Sequence, residues 1–329
     1  MILETPQMIL RTCRRALHNL CPLDLYVFTF LIYFNLVLWG ASESPDASYA
    51  RVAVGVGLAL WTSAVLLSRG EALTHPRARG IIHRFSLLLS VLGLYLASMR
   101  QALAALKPEL VDAQLAALDR AIFGEVPAQL FERFATPTLT EWLAFCYFCY
   151  FLIVILSTFP SAFFGRSTLS RGLVSGSILI VCIGHMIYTL VPGRGPYVAL
   201  TFQAELEGGF FWDVVNQMVV AQGALLDIFP SLHTALPSFV VIYLARCRAQ
   251  WTLRIPWAAV WSVLLFFTVN IIISTLYLRW HYAVDVIGGL LLAGITAWVT
   301  TRFNPTDSER AERGRQPIFE PCLGRSEEV

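Results

Sequence analysis

The sequence predicts an all-α integral membrane protein of about eight transmembrane helices. Three observations predict it. Of 329 residues, 57% are apolar and only 14% charged, against roughly 25% charged in an ordinary soluble domain. The apolar residues gather into runs long enough to cross a hydrocarbon core of about 30 Å as helices. No series of short alternating segments, which a transmembrane barrel needs, is present.

The elements follow in order. Arg11, Arg14 and Arg15 precede an apolar run from Leu25 to Ala41. A secretory signal has that arrangement, but its apolar region is shorter, so the run reads as a first, retained span. Further spans are expected near 52–68, 82–99, 141–161, 172–192, 230–246, 257–278 and 281–301. The second and sixth are short, and the third includes Arg84 near one end. Between the third and fourth, ALAALKPELVDAQLAALDRAIFG spaces Leu and Ala at helical intervals among charges. That pattern suits amphipathic helices lying along a membrane surface. Residues 193–229 carry PGRGPYVAL, FFWDVV and AQGALLDIFP, whose aromatics suit an interface. The polar segment after Arg302 has mixed charge and proline, and is expected to be a mobile tail. The division is then 1–99, an N-terminal segment with three membrane helices; 100–301, a core with outer interfacial helices; and 302–329, the tail. No internal repeat or low-complexity block is present.

Charge orients the chain. With the N-terminus inside, 17 of the 24 Lys and Arg residues fall in inner segments and 7 in outer ones, Lys107 among the latter. Cytoplasmic loops favour Lys and Arg, which puts both termini in the cytoplasm. The seven cysteines all avoid the outer segments, so no disulfide framework is expected. Cys146 and Cys149 form a C-x-x-C inside an apolar helix, where packing is the reading and a metal or redox pair the alternative.

Three polar patches share the outer side. They are PGRGPY (Pro192 to Tyr197), FPSLHTA (Phe229 to Ala235), and LRWHYAVD, which opens the last span. Placing Arg279, His281 and Asp285 at the mouth of a membrane helix costs roughly 2.5–3.5 kcal/mol per group on insertion scales, so their presence asks for a use. His281 and Asp285 are i and i+4 and share a helix face. A carboxylate there can accept the imidazole N–H, fixing its tautomer and raising the basicity of the other nitrogen. An oriented histidine is a nucleophile or general base, and His233 supplies a second imidazole suited to general acid work. Arg194 and Arg279 offer planar forks that match phosphate oxygens, and the helix N-termini offer N–H groups. The set describes a phosphoryl-transfer site that calls for no metal or cofactor. Asp227, Tyr197 and Tyr282 stand where they could line its entrance. His185 lies about two turns below PGRGPY, as a functional candidate or an interhelical hydrogen-bonding group. Asn35 and Asn270 read as packing residues.

PSLH, followed by LRWHYAVDVIGG, resembles the type-2 phosphatidic acid phosphatase superfamily, which covers lipid phosphatases, haloperoxidases and lipid phosphotransferases. The H-Y-x-x-D form is most similar to its inositol phosphorylceramide synthase branch, as is LDRAIFGEVP at 118–127 ahead of a span with Tyr147 and Tyr150. The resemblance covers about residues 115–300. It implies that His281 attacks phosphorus to form a phosphohistidine, that Asp285 orients it, that His233 protonates the leaving alcohol, and that Ser231 contacts phosphate oxygens. The chain also departs from the superfamily pattern. Leu232 stands where a glycine is usual. Ser274–Thr275 replaces the usual Ser-Arg, so Arg279 is the candidate substitute. Ile187 occupies the usual lysine position. Soluble-phosphate and haloperoxidase activities are therefore not expected.

The expected partners are a lipid substrate and the bilayer, with no nucleic acid. The expected location is a bacterial inner membrane with the site facing the periplasm. The function implied is transfer of a phosphoryl or phospho-headgroup from a lipid phosphate, with hydrolysis as the alternative. A transporter, suggested by Pro192, Pro230 and Pro237, would carry paired inverted repeats that the sequence lacks. An inactive scaffold would not need His233, His281 and Asp285.

Overall fold

A computed structural model describes residues 6–106, 109–165, 167–222, 226–320 and 322. The charge assignments of Lys107, Arg166 and Arg325, and the end of the expected tail, lie outside the described residues. Within them the protein is all-helical. The helices are α1 (Pro6–Asn19), α2 (Pro22–Trp39), α3 (Pro45–Ser68), α4 (Pro76–Leu106), α5 (Asp112–Phe123), α6 (Pro137–Phe163), α7 (Thr168–Tyr188), α8 (Phe210–Gln222), α9 (Leu232–Arg246), α10 (Trp257–Tyr277), α11 (Ala283–Phe303) and α12 (Asp307–Glu312).

Local sequence sets the starts. Proline opens α2, α3, α4 and α6, where its missing N–H has no intrahelical acceptor in any case. Side-chain caps fix several of the same turns: Ser44 accepts from Ala47 N–H, Thr136 from Leu139, Ser167 from Ser170 and Ser231 from Thr234.

Seven helices among the described residues are long and apolar enough to cross a membrane: α2, α3, α4, α6, α7, α10 and α11. The sixth expected span is different. Helix α9 has 15 residues, about 22 Å at 1.5 Å per residue, too short to cross alone. It packs against α6, α7, α10 and α11, and Ala235, Leu236, Phe239 and Val240 are buried. A helix enclosed by protein need not match the bilayer thickness. Over Leu89–Gly93 and Tyr95–Met99, α4 widens to i→i+5 hydrogen bonding.

The tail corrects expectation. Instead of a mobile segment, residues 307–320 pack on the end of the bundle away from the polar patches. Arg69, 2% exposed, pairs with Asp24 at 2.9 Å and donates to the carbonyls of Pro317 and Ile318, both at 2.8 Å. Arg84 donates to the Glu320 carbonyl and stacks on Phe319. Arg310 reaches the carbonyls of Asn19 and Leu20, so the N- and C-terminal segments meet. Buried guanidinium groups need acceptors, and the tail backbone supplies them. Composition alone cannot register that demand, because Arg69 and Arg84 lie far from the tail in sequence and Arg310, within it, finds acceptors on the distant Asn19 and Leu20.

Candidate active site

The three polar patches converge at the other end of the bundle. Ser231 caps α9 with its hydroxyl, and its N–H donates to the Asp285 carbonyl at 3.0 Å, joining the starts of α9 and α11. Gly289 permits this approach. A Cβ there would lie 2.5 Å from the Ser231 carbonyl oxygen and 3.0 Å from the Thr234 Cβ.

That contact brings the two histidines together. The rings of His233 and His281 have centroids 6.1 Å apart, tilted by 52°. His233 sits against two rings of α6, Tyr147 at 4.4 Å and Tyr150 at 4.3 Å. The Tyr147 hydroxyl is 3.3 Å from Nδ1 of His233. His281 Nδ1 is 3.4 Å from Asp285 Oδ2, an ion-pair distance longer than a well-formed hydrogen bond. Catalytic contacts are often loose before substrate arrives. The same Asp285 oxygen accepts the Tyr282 N–H at 2.8 Å, capping α11.

A second carboxylate holds the same turn. Asp119 of α5 is fully buried and accepts the N–H groups of Ala283 at 2.9 Å and Val284 at 3.0 Å. Burial raises its carboxyl above the ordinary range, and the two N–H bonds work against that rise. One helical stretch earlier, Asp112 accepts from the Arg194 and Gly195 N–H groups and from the Tyr282 hydroxyl at 3.2 Å. Gly195 has φ +81°, and a Cβ there would meet the Trp280 carbonyl oxygen at 2.4 Å, so the turn requires glycine. Helix α5 is thus a brace between the PGRG loop and the start of α11, not simply a surface helix.

Several site expectations find other surroundings. The N–H groups of Tyr282, Ala283 and Val284 are taken by carboxylates, so the N-terminus of α11 is not an open anion site. At α9, Leu232 and His233 N–H have no partner among the described residues. Arg279 is 4% exposed and sits at φ +69°, a left-handed turn uncommon for a non-glycine residue. Its guanidinium bonds to the Ala204 carbonyl at 2.9 Å and to Glu132 at 3.3 Å, and it stacks 3.9 Å over Phe202. A buried guanidinium takes whatever acceptors the fold offers, so Arg279 tethers the 202–204 loop in place of presenting a free fork. Tyr282, expected at the entrance, is fully buried as a strut to Asp112. Tyr197 is exposed at the surface beside Trp280, and its N–H donates to the Arg279 carbonyl at 2.7 Å. Arg194 is exposed, with no side-chain partner among the described residues. Asp227 accepts the Tyr95 hydroxyl at 3.2 Å, and the Tyr95 ring stacks on His185 at 4.7 Å.

Sequence reading passed over Asp112, Asp119, Glu132 and Gly289. The signal for the first two was present: they lie seven apart on one face of α5, inside a segment otherwise rich in Leu and Ala.

No curated protein and no solved structure matches the chain. A family model does. The PAP2 superfamily model matches residues 113–299, from α5 through α11 and including His233, His281 and Asp285. That match spans more than half of the protein, and the chain belongs to the PAP2 superfamily.

Proposed function

We propose that the protein is a membrane lipid phosphotransferase that works through a phosphohistidine on His281. The observation that carries the reading is the facing pair of histidines 6.1 Å apart, with Asp285 behind one of them. A tetrahedral phosphoryl group fits between two imidazoles at that separation. Asp285 holds the Nδ1–H of His281, leaving Nε2 as the nucleophile. Nε2 attacks phosphorus, and the bond to the leaving alcohol oxygen breaks. His233 gives that oxygen a proton. In the protonated His233 both ring nitrogens are donors: Nδ1–H is held by the Tyr147 hydroxyl oxygen, 3.3 Å away, which leaves the Nε2 proton as the one transferred. In the second step an alcohol attacks the phosphohistidine, its proton returns to His233, and the P–N bond breaks. A positioned acid–base group of this kind contributes about 10²–10⁴-fold.

The phosphate oxygens are met by the free Leu232 and His233 N–H groups, by the Ser231 hydroxyl and by the Arg194 guanidinium. These sit at the end of an apolar bundle, where a lipid headgroup lies while its tails stay in the bilayer. The H-Y-x-x-D motif favours an inositol phosphorylceramide synthase-like transfer, in which a phospho-headgroup moves from one lipid to the hydroxyl of another. Hydrolysis is the second reading, favoured by the exposure of Arg194 and Tyr197 at the mouth, through which water can take the alcohol's place. A transporter or scaffold has no need of a buried His–Asp pair. The Lys and Arg bias supports a cytoplasmic location for both termini, with the site facing a bacterial periplasm.

The test is turnover in vesicles containing phosphatidylinositol, phosphatidic acid, and either ceramide or diacylglycerol. Mass spectrometry follows the phosphate. Phosphate on a lipid alcohol supports transfer; free phosphate alone makes the protein a phosphatase; neither, in a folded wild type, removes the enzymatic reading.

A further inference from the structure

A cavity of about 330 Å³ lies beside the site, between α4, α8 and the Leu226–Asp227 segment. That volume falls within the usual range for small-molecule sites, roughly 300–1,000 Å³. Leu96, Met99, Leu103 and Leu226 give it apolar walls, Tyr95 and Asp227 give it a hydrogen-bonded polar end, and Arg100 and Gln101 also line it. Leu96, on the membrane-length helix α4, is 74% exposed.

The cavity is a built feature. Helix α4 widens over Tyr95–Met99, the stretch that lines it. Such wide turns are rare and recur at functional sites. Helix α8 is held by Glu141 of α6, which accepts the N–H groups of Gly209, Phe211 and Trp212. Helix α4 also lies outside the region matched by the family model, so this wall belongs to the chain's own N-terminal part.

The polar end selects a ligand. A carboxylate only accepts hydrogen bonds, and has room for more than the one it takes from Tyr95. A neutral hydroxyl can donate to that carboxylate, whereas an unprotonated phosphate oxygen has no hydrogen to give it. Asp227 lies four residues before Ser231 and within electrostatic reach of His281.

We infer that this cavity seats the lipid alcohol that exchanges with the phosphohistidine, its hydroxyl donating to Asp227 and its chain lying along Leu96, Met99 and Leu103. The assignment rests on the phosphotransfer reading above. When the alcohol reacts, its oxygen bonds to phosphorus, the P–N bond to His281 breaks, and its proton passes to His233. Asp227 binds and positions the hydroxyl; it does not take the proton. Ceramide and diacylglycerol share the required chemistry, an apolar chain with a neutral hydroxyl.

The experiment uses the full chain in phosphatidylcholine vesicles with two probes, a ceramide and a diacylglycerol, each with a diazirine on the chain near the hydroxyl. After photolysis, labelled peptides are located by mass spectrometry, with and without excess unlabelled alcohol. The inference predicts competable label on α4 between Tyr95 and Leu103 and on α8 near Met218. Ala221→Trp, which fills the cavity from an exposed position, should cut that label severalfold. Asp227→Asn should weaken competition by roughly tenfold, the scale of a hydrogen bond to a charged group. Label from one probe alone identifies the alcohol. Label spread evenly over lipid-facing helices, or unchanged in both variants, overturns the inference. Labelling needs no turnover, so the two readings fail separately. A seated probe without phosphate transfer would sink the reaction, and transfer with label elsewhere would sink the cavity assignment.

Discussion

Asp119 and Ala283 are 164 residues apart, yet the Asp119 carboxylate accepts the Ala283 N–H at 2.9 Å, two residues after His281. Its second oxygen takes the Val284 N–H at 3.0 Å. The turn that carries His281 is therefore set by a helix from a different part of the chain. Removing that acceptor leaves two buried N–H groups unsatisfied, each worth about 1–3 kcal/mol. Asp119→Ala should lower the melting temperature in detergent and reduce turnover, while Asp119→Asn, which keeps one acceptor oxygen, should fall between. Equal activity in the alanine variant and wild type would remove α5 from the account.

Gly289 sets the spacing of α9 and α11. A valine there meets backbone, the Ser231 carbonyl, which cannot rotate away. Overpacking of this kind costs about 1–3 kcal/mol, and a displacement of about 1 Å between reacting groups costs on the order of 10²-fold in rate. Gly289→Val should insert and fold, at reduced stability, with kcat down by at least that factor. Steady-state kinetics alongside thermal unfolding checks it.

His233 is assigned to protonate the leaving alcohol. His233→Gln should lose about 10²–10⁴-fold on a lipid substrate and far less on a p-nitrophenyl phosphoester, whose leaving group needs no proton. A uniform loss on both substrates would point to a positional role instead.

At the far end, Arg69 and Asp24 form a pair with both side chains at most 2% exposed. Removing one partner strands a buried charge, a change that typically costs about 3–5 kcal/mol. Arg69→Leu should show a large drop in melting temperature and release the docked tail to protease, with the His281 chemistry intact in the molecules that remain folded.

Much of the fold was legible because apolar runs and helix-starting prolines are local signals. His233, His281 and Asp285 stood out because charge and imidazole are conspicuous at the mouth of an apolar helix. What escaped was long-range. Nothing near Arg279 announces Glu132, 147 residues away, so its guanidinium looked available. Tyr282 reads as an interfacial aromatic until Asp112 is seen to receive its hydroxyl. The tail looked mobile because its composition is polar, while the three buried arginines that fold it back lie on other elements or are counted as ordinary charges. Helix α9 looked like a span because apolar composition does not distinguish burial in protein from burial in lipid.

The most direct measurement is phosphoenzyme trapping. The protein in vesicles is incubated with lipid labelled at phosphorus, quenched in base, and the phosphopeptide is mapped. The account predicts an acid-labile phosphate on His281, absent in His281→Ala and strongly reduced in Asp285→Asn. Turnover by a wild type that never carries phosphate on His281, or by the His281→Ala variant, would contradict it.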